Sequence, residues 1–271
     1  MSEYQYYEFV ALDQPLTGSQ LGEVRAISSR AELTPTSFVN EYQWGDFKGD
    51  PHKFLEKYYD AMLYYANWGT RRFMVKVTGD ALDIKLARLY CIDGESGMEM
   101  TTSKTGFIFD FVSETEEPED FDEMEQRLSP LIPIREALNA GDLRPLYIGW
   151  LASVAAGERG KGETEPPLPP GMKKLSAPLK GLAEFLRIPE ELLAAAAEGS
   201  GKAEDPWPGL EPWLAQMPQR RKDERLLELI TGDPNSVAAE LRREFNKQRK
   251  NRPRKTPDEG ARTVGSCPDP I

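Results

Sequence analysis

Apolar and polar side chains alternate with a period of two at the start of the chain. Tyr7, Phe9 and Ala11 fall on one side and Tyr6, Glu8 and Val10 on the other, which predicts a first strand. Thr17 stands three residues before Gln20, the spacing of a capping box, and Leu21, Val24 and Ile27 follow at helical intervals. Pro35 ends that pattern, and Phe38, Tyr42 and Trp44 share one face of a second predicted strand. Asp50-Pro51 then opens a helix, because Asp caps free backbone N–H groups and Pro at the first helical position loses no hydrogen bond. Phe54, Tyr58, Met62 and Tyr65 lie on one face of that helix if it runs to Gly69. Phe73, Val75 and Val77 predict a third strand, residues around Ile84 to Tyr90 a short helix, and Met98–Thr101 with Phe107–Val112 a closing pair of strands.

Helices between the early strands suggest parallel crossovers, whereas the last two strands look like a hairpin. The expected fold class is therefore α+β (or α/β), with a mixed sheet covered on one face by helices, broadly ferredoxin-like, over residues 1–113. Residues 114–126 are acidic and interrupted by Pro118, and are expected to act as a hinge. Residues 127–251 read as an all-helical region: Ile134–Asn139, a helix opened by Asp142 and carrying Trp150, then Ser176–Arg187, Pro189–Glu198, a short helix with Trp213, Arg220–Thr231 and Pro234–Lys250. Residues 252–271 have the composition of a disordered tail. Because the strand signals end by Val112, residues 1–113 are expected to fold without the helices.

The chain has 271 residues, 39% of them hydrophobic and 10% aromatic, enough for a substantial core. No basic start followed by an apolar run is present, and the longest apolar stretch, Leu143 to Ala156, is broken by Arg144 and Pro145. Cys91 and Cys267 are the two cysteines, too few for a disulfide framework. These features point to a cytoplasmic protein without membrane association. The net charge of −11 is unevenly spread. Eight acidic residues and no basic one lie between Glu114 and Glu125, and eight basic residues against Glu244 alone lie between Arg242 and Lys255.

Chemistry-bearing motifs are sparse. Neither a Gly-x-x-x-x-Gly-Lys-Ser/Thr loop nor a Gly-x-Gly-x-x-Gly turn nor a Gly-x-Ser-x-Gly elbow occurs. Asp46, Asp50 and His52 form the tightest group of metal-type ligands, but Asp50 already has a capping role and His52 is the sole histidine, so no metal and no cofactor is expected. Cys91 with His52 is the one thiol–imidazole combination available, and the apolar neighbours Tyr90 and Ile92 argue for a buried structural thiol. Tyr64, Asn67, Trp68, Arg71 and Arg72 combine the residue types that dominate binding hot spots, which makes them the candidate partner or ligand surface. A second candidate is the basic tail, Arg242, Arg243, Lys247, Arg249, Lys250, Arg252, Arg254 and Lys255, which suits phosphate contacts but lacks interleaved aromatics for base stacking.

The segments Thr34-Pro35-Thr36-Ser37-Phe38-Val39-Asn40-Glu41-Tyr42, Trp44-Gly45-Asp46-Phe47-Lys48-Gly49-Asp50-Pro51 and Ala66-Asn67-Trp68-Gly69-Thr70-Arg71-Arg72 resemble a family of uncharacterised bacterial proteins. The resemblance implies a bacterial, intracellular origin and carries no activity, substrate or partner. The expectation from sequence is a non-catalytic interaction protein, an adaptor or accessory subunit with an unidentified protein partner. A nucleic-acid-associated protein using the tail, and an enzyme whose site the fold assembles without a local motif, are the alternatives.

Overall fold

Strands form where apolar side chains repeat every second residue, and the computed structural model of the protein contains seven among its described residues. It describes residues 3–79, 81–92, 94–117, 127–160, 162–202, 209–231, 237, 240–241 and 244–245. Two compact units divide the chain, Met1–Glu204 and Asp205–Pro257. The first begins β1 (Gln5–Val10), α1 (Gly18–Ile27), β2 (Glu32–Leu33), β3 (Ser37–Tyr42), α2 (Pro51–Tyr58), β4 (Ala61–Ala66) and β5 (Arg71–Thr78). It continues α3 (Ile84–Arg88), β6 (Gly97–Thr102), β7 (Gly106–Ser113), α4 (Ile132–Asn139), α5 (Arg144–Ala155), α6 (Ala177–Phe185) and α7 (Glu190–Gly199).

The strands make one sheet in the order β2-β3-β1-β4-β5-β7-β6. Every pairing among the described residues is antiparallel, so the expected mixed sheet with parallel crossovers is corrected to an antiparallel one. The physical reason lies in β4. Ala61–Ala66 was expected to continue the helix opened by Asp50-Pro51, but that helix stops at Tyr58 and the chain reverses into a strand. Asp50 caps it as anticipated, accepting from the main-chain N–H groups of His52 and Lys53. With β4 extended, β1 and β5 flank it and the early connections become reversals instead of crossovers.

Cross-strand partners share a face, so two rows describe the sheet. Val39, Glu8, Leu63, Phe73, Phe111 and Met98 form a row on one side. Helices α4 to α7 supply Ile134, Leu146, Leu179 and Leu192 to the core on that side. Phe38, Phe9, Met62, Met74, Asp110 and Glu99 form a row on the other. There α1 and α2 contribute Val24, Phe54 and Leu55 to a second core with Phe47. Helices thus cover both faces, not one. The helical region up to residue 204 shares a core with the sheet, so the boundary at 114–126 is not where the compact units divide. Residues 118–126 lie outside the described residues.

Charged groups tie the layers together. Arg135 of α4 is buried; its Nη atoms donate to both carboxylate oxygens of Asp13 at 3.0 and 2.7 Å, and its Nε donates to the Lys76 carbonyl at 2.8 Å. Lys76 in turn donates to the Glu56 and Tyr59 carbonyls at the end of α2, and Asp60 accepts from the N–H groups of Leu12 and Asp13. One chain of contacts therefore joins the exit of β1, the α2–β4 corner, β5 and α4.

In the second unit, α8 (Leu210–Gln216) and α9 (Gln219–Thr231) precede a segment represented by Val237, Glu240, Leu241, Glu244 and Phe245. Trp213 meets Phe245 edge-on with ring centroids 5.5 Å apart, and Val237 and Phe245 are buried.

Removing the helices uncovers Phe73, Phe109 and Phe111, so a fragment of residues 1–113 is expected to show no cooperative thermal transition by circular dichroism, whereas residues 1–204 melt in one step. Arg135→Met is expected to cost the full chain about 2 kcal/mol in urea denaturation, because it removes the buried guanidinium's bonds to the partly exposed Asp13 carboxylate and to the Lys76 carbonyl.

Candidate functional site

The β4–β5 hairpin carries all five residues of the expected surface and sends them in different directions, as strand alternation demands. Tyr64 and Arg72 are cross-strand partners and share the face that carries α1 and α2. Arg71 pairs with Tyr65 and points to the opposite face. Asn67 and Trp68 lie in the turn between the strands.

Tyr64 belongs to a row that reads Asn40, Tyr7, Tyr64, Arg72 and Val112 across five strands. The rings of Tyr7 and Tyr64 are 4.5 Å apart. Tyr64 donates its hydroxyl hydrogen to Gln5 Oε1 at 3.1 Å, and Tyr7 donates to Asp46 Oδ1 at 3.2 Å. Gln5 Nε2 donates to the Gly45 carbonyl at 3.0 Å. Burial raises the pKa of both phenols, reinforced at Tyr7 by Tyr64 and Asp46 and at Tyr64 by Asp46. Both hydroxyls therefore stay protonated and serve as hydrogen-bond donors at neutral pH. Arg72 grips Asp110 through Nε and Nη2, with Nε 2.9 Å from Oδ1. Burial works against the guanidinium charge, but the Asp110 carboxylate outweighs it and raises the Arg72 pKa.

The remaining members are held by main chain. Asn67 Oδ1 accepts from the Tyr4 N–H at 3.0 Å, and the Asn67 N–H donates to the Tyr4 carbonyl at 3.1 Å. Arg71 Nη1 donates to the Phe185 carbonyl at 3.3 Å, at the end of α6. Gly69 has φ of 106°, and a Cβ there would lie 2.1 Å from the Thr115 carbonyl, so only glycine lets the turn seat against that segment. Arg187 Nη2 donates to the Gly69 carbonyl at 2.9 Å. Trp68 projects from this anchored turn and is 42% exposed.

The other candidate chemistry is dispersed. Asp50 caps α2, Asp46 accepts from Tyr7, and His52 Nε2 contacts Thr101 Oγ1. Among the described residues no group of three or more His, Cys, Asp or Glu side chains is placed to hold a metal ion. Thr101 pairs with Ile108 on the α2 side of the sheet, whereas Cys91 packs against the core on the other side, so His52 and Cys91 are not brought together. Among the described residues no helix is long and apolar enough to cross a membrane. The basic tail residues Arg242, Arg243, Lys247, Arg249, Lys250, Arg252, Arg254 and Lys255 lie outside the described residues.

A surface not anticipated from sequence lies on α9. Leu226, Leu227 and Ile230 are 58%, 62% and 78% exposed and share one side of the helix. Arg221 and Arg225 occupy the opposite side, where they pair with Glu244 at 2.7 Å and with Glu240 at 2.8 Å. The spacing alone would assign the leucines to a core; the ion pairs show which side the neighbouring segment takes.

Burial raises the Cys91 thiol pKa to about 11. The folded chain thus holds the thiol proton more tightly than the unfolded chain. Any stability from this group is complete below the ordinary thiol pKa of about 8.5 and fades as pH rises towards 11. In a Cys267→Ser variant, alkylation of Cys91 at pH 8 is expected to run about two orders of magnitude slower than that of a free thiol and to accelerate through pH 11.

Comparison with protein-family models, curated proteins and solved structures finds no match to the chain.

Proposed function

We propose that this chain is an interaction protein, an adaptor or accessory subunit that docks a protein partner through the apolar side of α9. The observation that carries the reading is the trio Leu226, Leu227 and Ile230, presented on one helix face whose reverse is already occupied by ion pairs. A clustered apolar patch in water is unfavourable for a free surface and is characteristic of a contact site. The amphipathic pattern suits helix-in-groove recognition, in which anchors recur at i+3 and i+4, the spacings from Leu227 and from Leu226 to Ile230.

The test is affinity purification of the full chain from its host, in parallel with a Leu226→Asp/Ile230→Asp variant. Both side chains are exposed, so the variant is expected to melt within about 0.5 kcal/mol of wild type. A stoichiometric partner bound by wild type and lost from the variant supports the proposal. Equal recovery of the same proteins by both would remove α9 as the contact.

A further inference from the structure

We propose that the end of the sheet bearing Trp44 and Trp68 is a docking surface for a lysine- and arginine-rich segment of a partner protein. It lies in the first unit and stands independently of any contact made by α9.

The topology brings the two indoles together. Tyr42 of β3 and Ala66 of β4 both pair with Gln5 of β1, so these strand ends lie on either side of β1 at one end of the sheet. The first residues of β1 bridge them: Tyr4 is hydrogen-bonded to Asn67, next to Trp68, and Gln5 to Gly45, next to Trp44. β3 and β4 flank β1, which puts their backbones about 10 Å apart. Trp44 is 79% exposed, Trp68 is 42% exposed, and neither belongs to a core. Two large apolar rings held in water by an anchored turn and a bonded loop are unexplained by packing.

Charge identifies the occupant. Glu41 lies against the Tyr4 hydroxyl, and Asp46 follows Trp44 by two residues. Thr70 Oγ1 donates to Glu114 Oε2 at 2.8 Å, and Gly69 seats on Thr115, which brings Glu116 and Glu117 to the same end as Trp68. Of the cations nearby, Arg71 is engaged with the Phe185 carbonyl, Arg187 with the Gly69 carbonyl, and Arg127 lies beside Tyr6 and Glu8; exposed Lys48, two residues after Asp46, is outnumbered by Glu41, Asp46, Glu116 and Glu117. Carboxylates beside an indole face suit a guanidinium or ammonium group, which gains both ion pairing and cation–π attraction. Phosphates of nucleic acid or anionic lipid would meet like charge, and so would a second copy of this end. A basic polypeptide is the partner that satisfies both features.

The experiment titrates the full chain into a fluorescein-labelled 12-residue peptide of alternating Lys and Arg and follows anisotropy at two salt concentrations. Wild type, W44A/W68A, E41Q/E116Q/E117Q and the exposed control L89A are compared, with thermal melts of each. The chain carries a net charge of −11, so general attraction must be separated from docking. W44A/W68A leaves the charge unchanged and is expected to weaken binding at least about fivefold, with its salt dependence preserved. The Gln variant is expected to bind more weakly with a shallower salt dependence, and L89A to bind as wild type. The unlabelled peptide, which has no aromatic residue, should also shift the tryptophan emission of the wild-type chain, a readout that needs no variant to fold. Equal affinity of W44A/W68A and wild type, an unchanged emission, no binding at either salt, or equal binding of a matched Glu/Asp peptide or of anionic phospholipid vesicles would overturn the proposal.

Discussion

Strands β4 and β5 bury apolar side chains on both sides of the sheet, and the rest of the first unit answers that constraint. Leu63 and Phe73 need one cover; Met62 and Met74, a residue away, need another. Neither α1 and α2 nor α4 to α7 can serve both, so the chain before β4 and the chain after β7 are recruited to opposite faces. The acidic stretch between β7 and α4 consequently connects parts of one core. Two-layer coverage also creates corners where main-chain groups would be left unpaired, and there the charged residues appear. Arg135 comes from the helix layer and satisfies both Asp13 and a strand carbonyl. Lys76 closes the end of α2 beneath the neighbouring layer.

Local signals in the sequence translated well. The Thr17–Gln20 capping box, the Asp50-Pro51 helix start, the alternation of Phe73, Val75 and Val77, and the hairpin ending in Phe107–Val112 all correspond to observed elements. The strand β4 did not, for a specific reason. A strand buried on both faces has no polar–apolar alternation, and Phe54, Tyr58, Met62 and Tyr65 happen to fall at helical spacing. That one misassigned segment carried the strand directions with it, since pairing depends on partners distant in sequence. The sequence pattern marks α4 to α9 as helices, but nothing in their periodicity says which surface receives their apolar faces; the predicted helix Pro234–Lys250 lies largely outside the described residues.

The candidate surface illustrates a related gap between residue type and availability. Tyr64, Asn67, Arg71 and Arg72 belong to the classes common at binding hot spots, yet each is committed to a partner within the chain. Trp68 is the member that remains presented, because its neighbours Asn67 and Gly69 are anchored. Trp44 owes its position to the Gln5–Gly45 hydrogen bond, a contact spanning forty residues of sequence. Exposure of α9 is likewise decided by Arg221 and Arg225, which select the side that the following segment occupies.

The corner after α6 has a bearing on which sequences the fold tolerates. Helices α4 and α5 both terminate in a left-handed glycine, Gly141 and Gly157, whose following N–H reaches back to Ala137 and Ser153. Helix α6 closes the same way, with Ile188 donating to Ala183, but the left-handed residue is Arg187 at φ of 55°. An L side chain there costs on the order of 1 kcal/mol relative to glycine. The guanidinium offsets this by bonding Ser113 and Gly69 together. Backbone and side chain thus favour different residues at one site. Drift towards glycine, neutral at the other two corners, would here release the end of β7 and the hairpin turn at once.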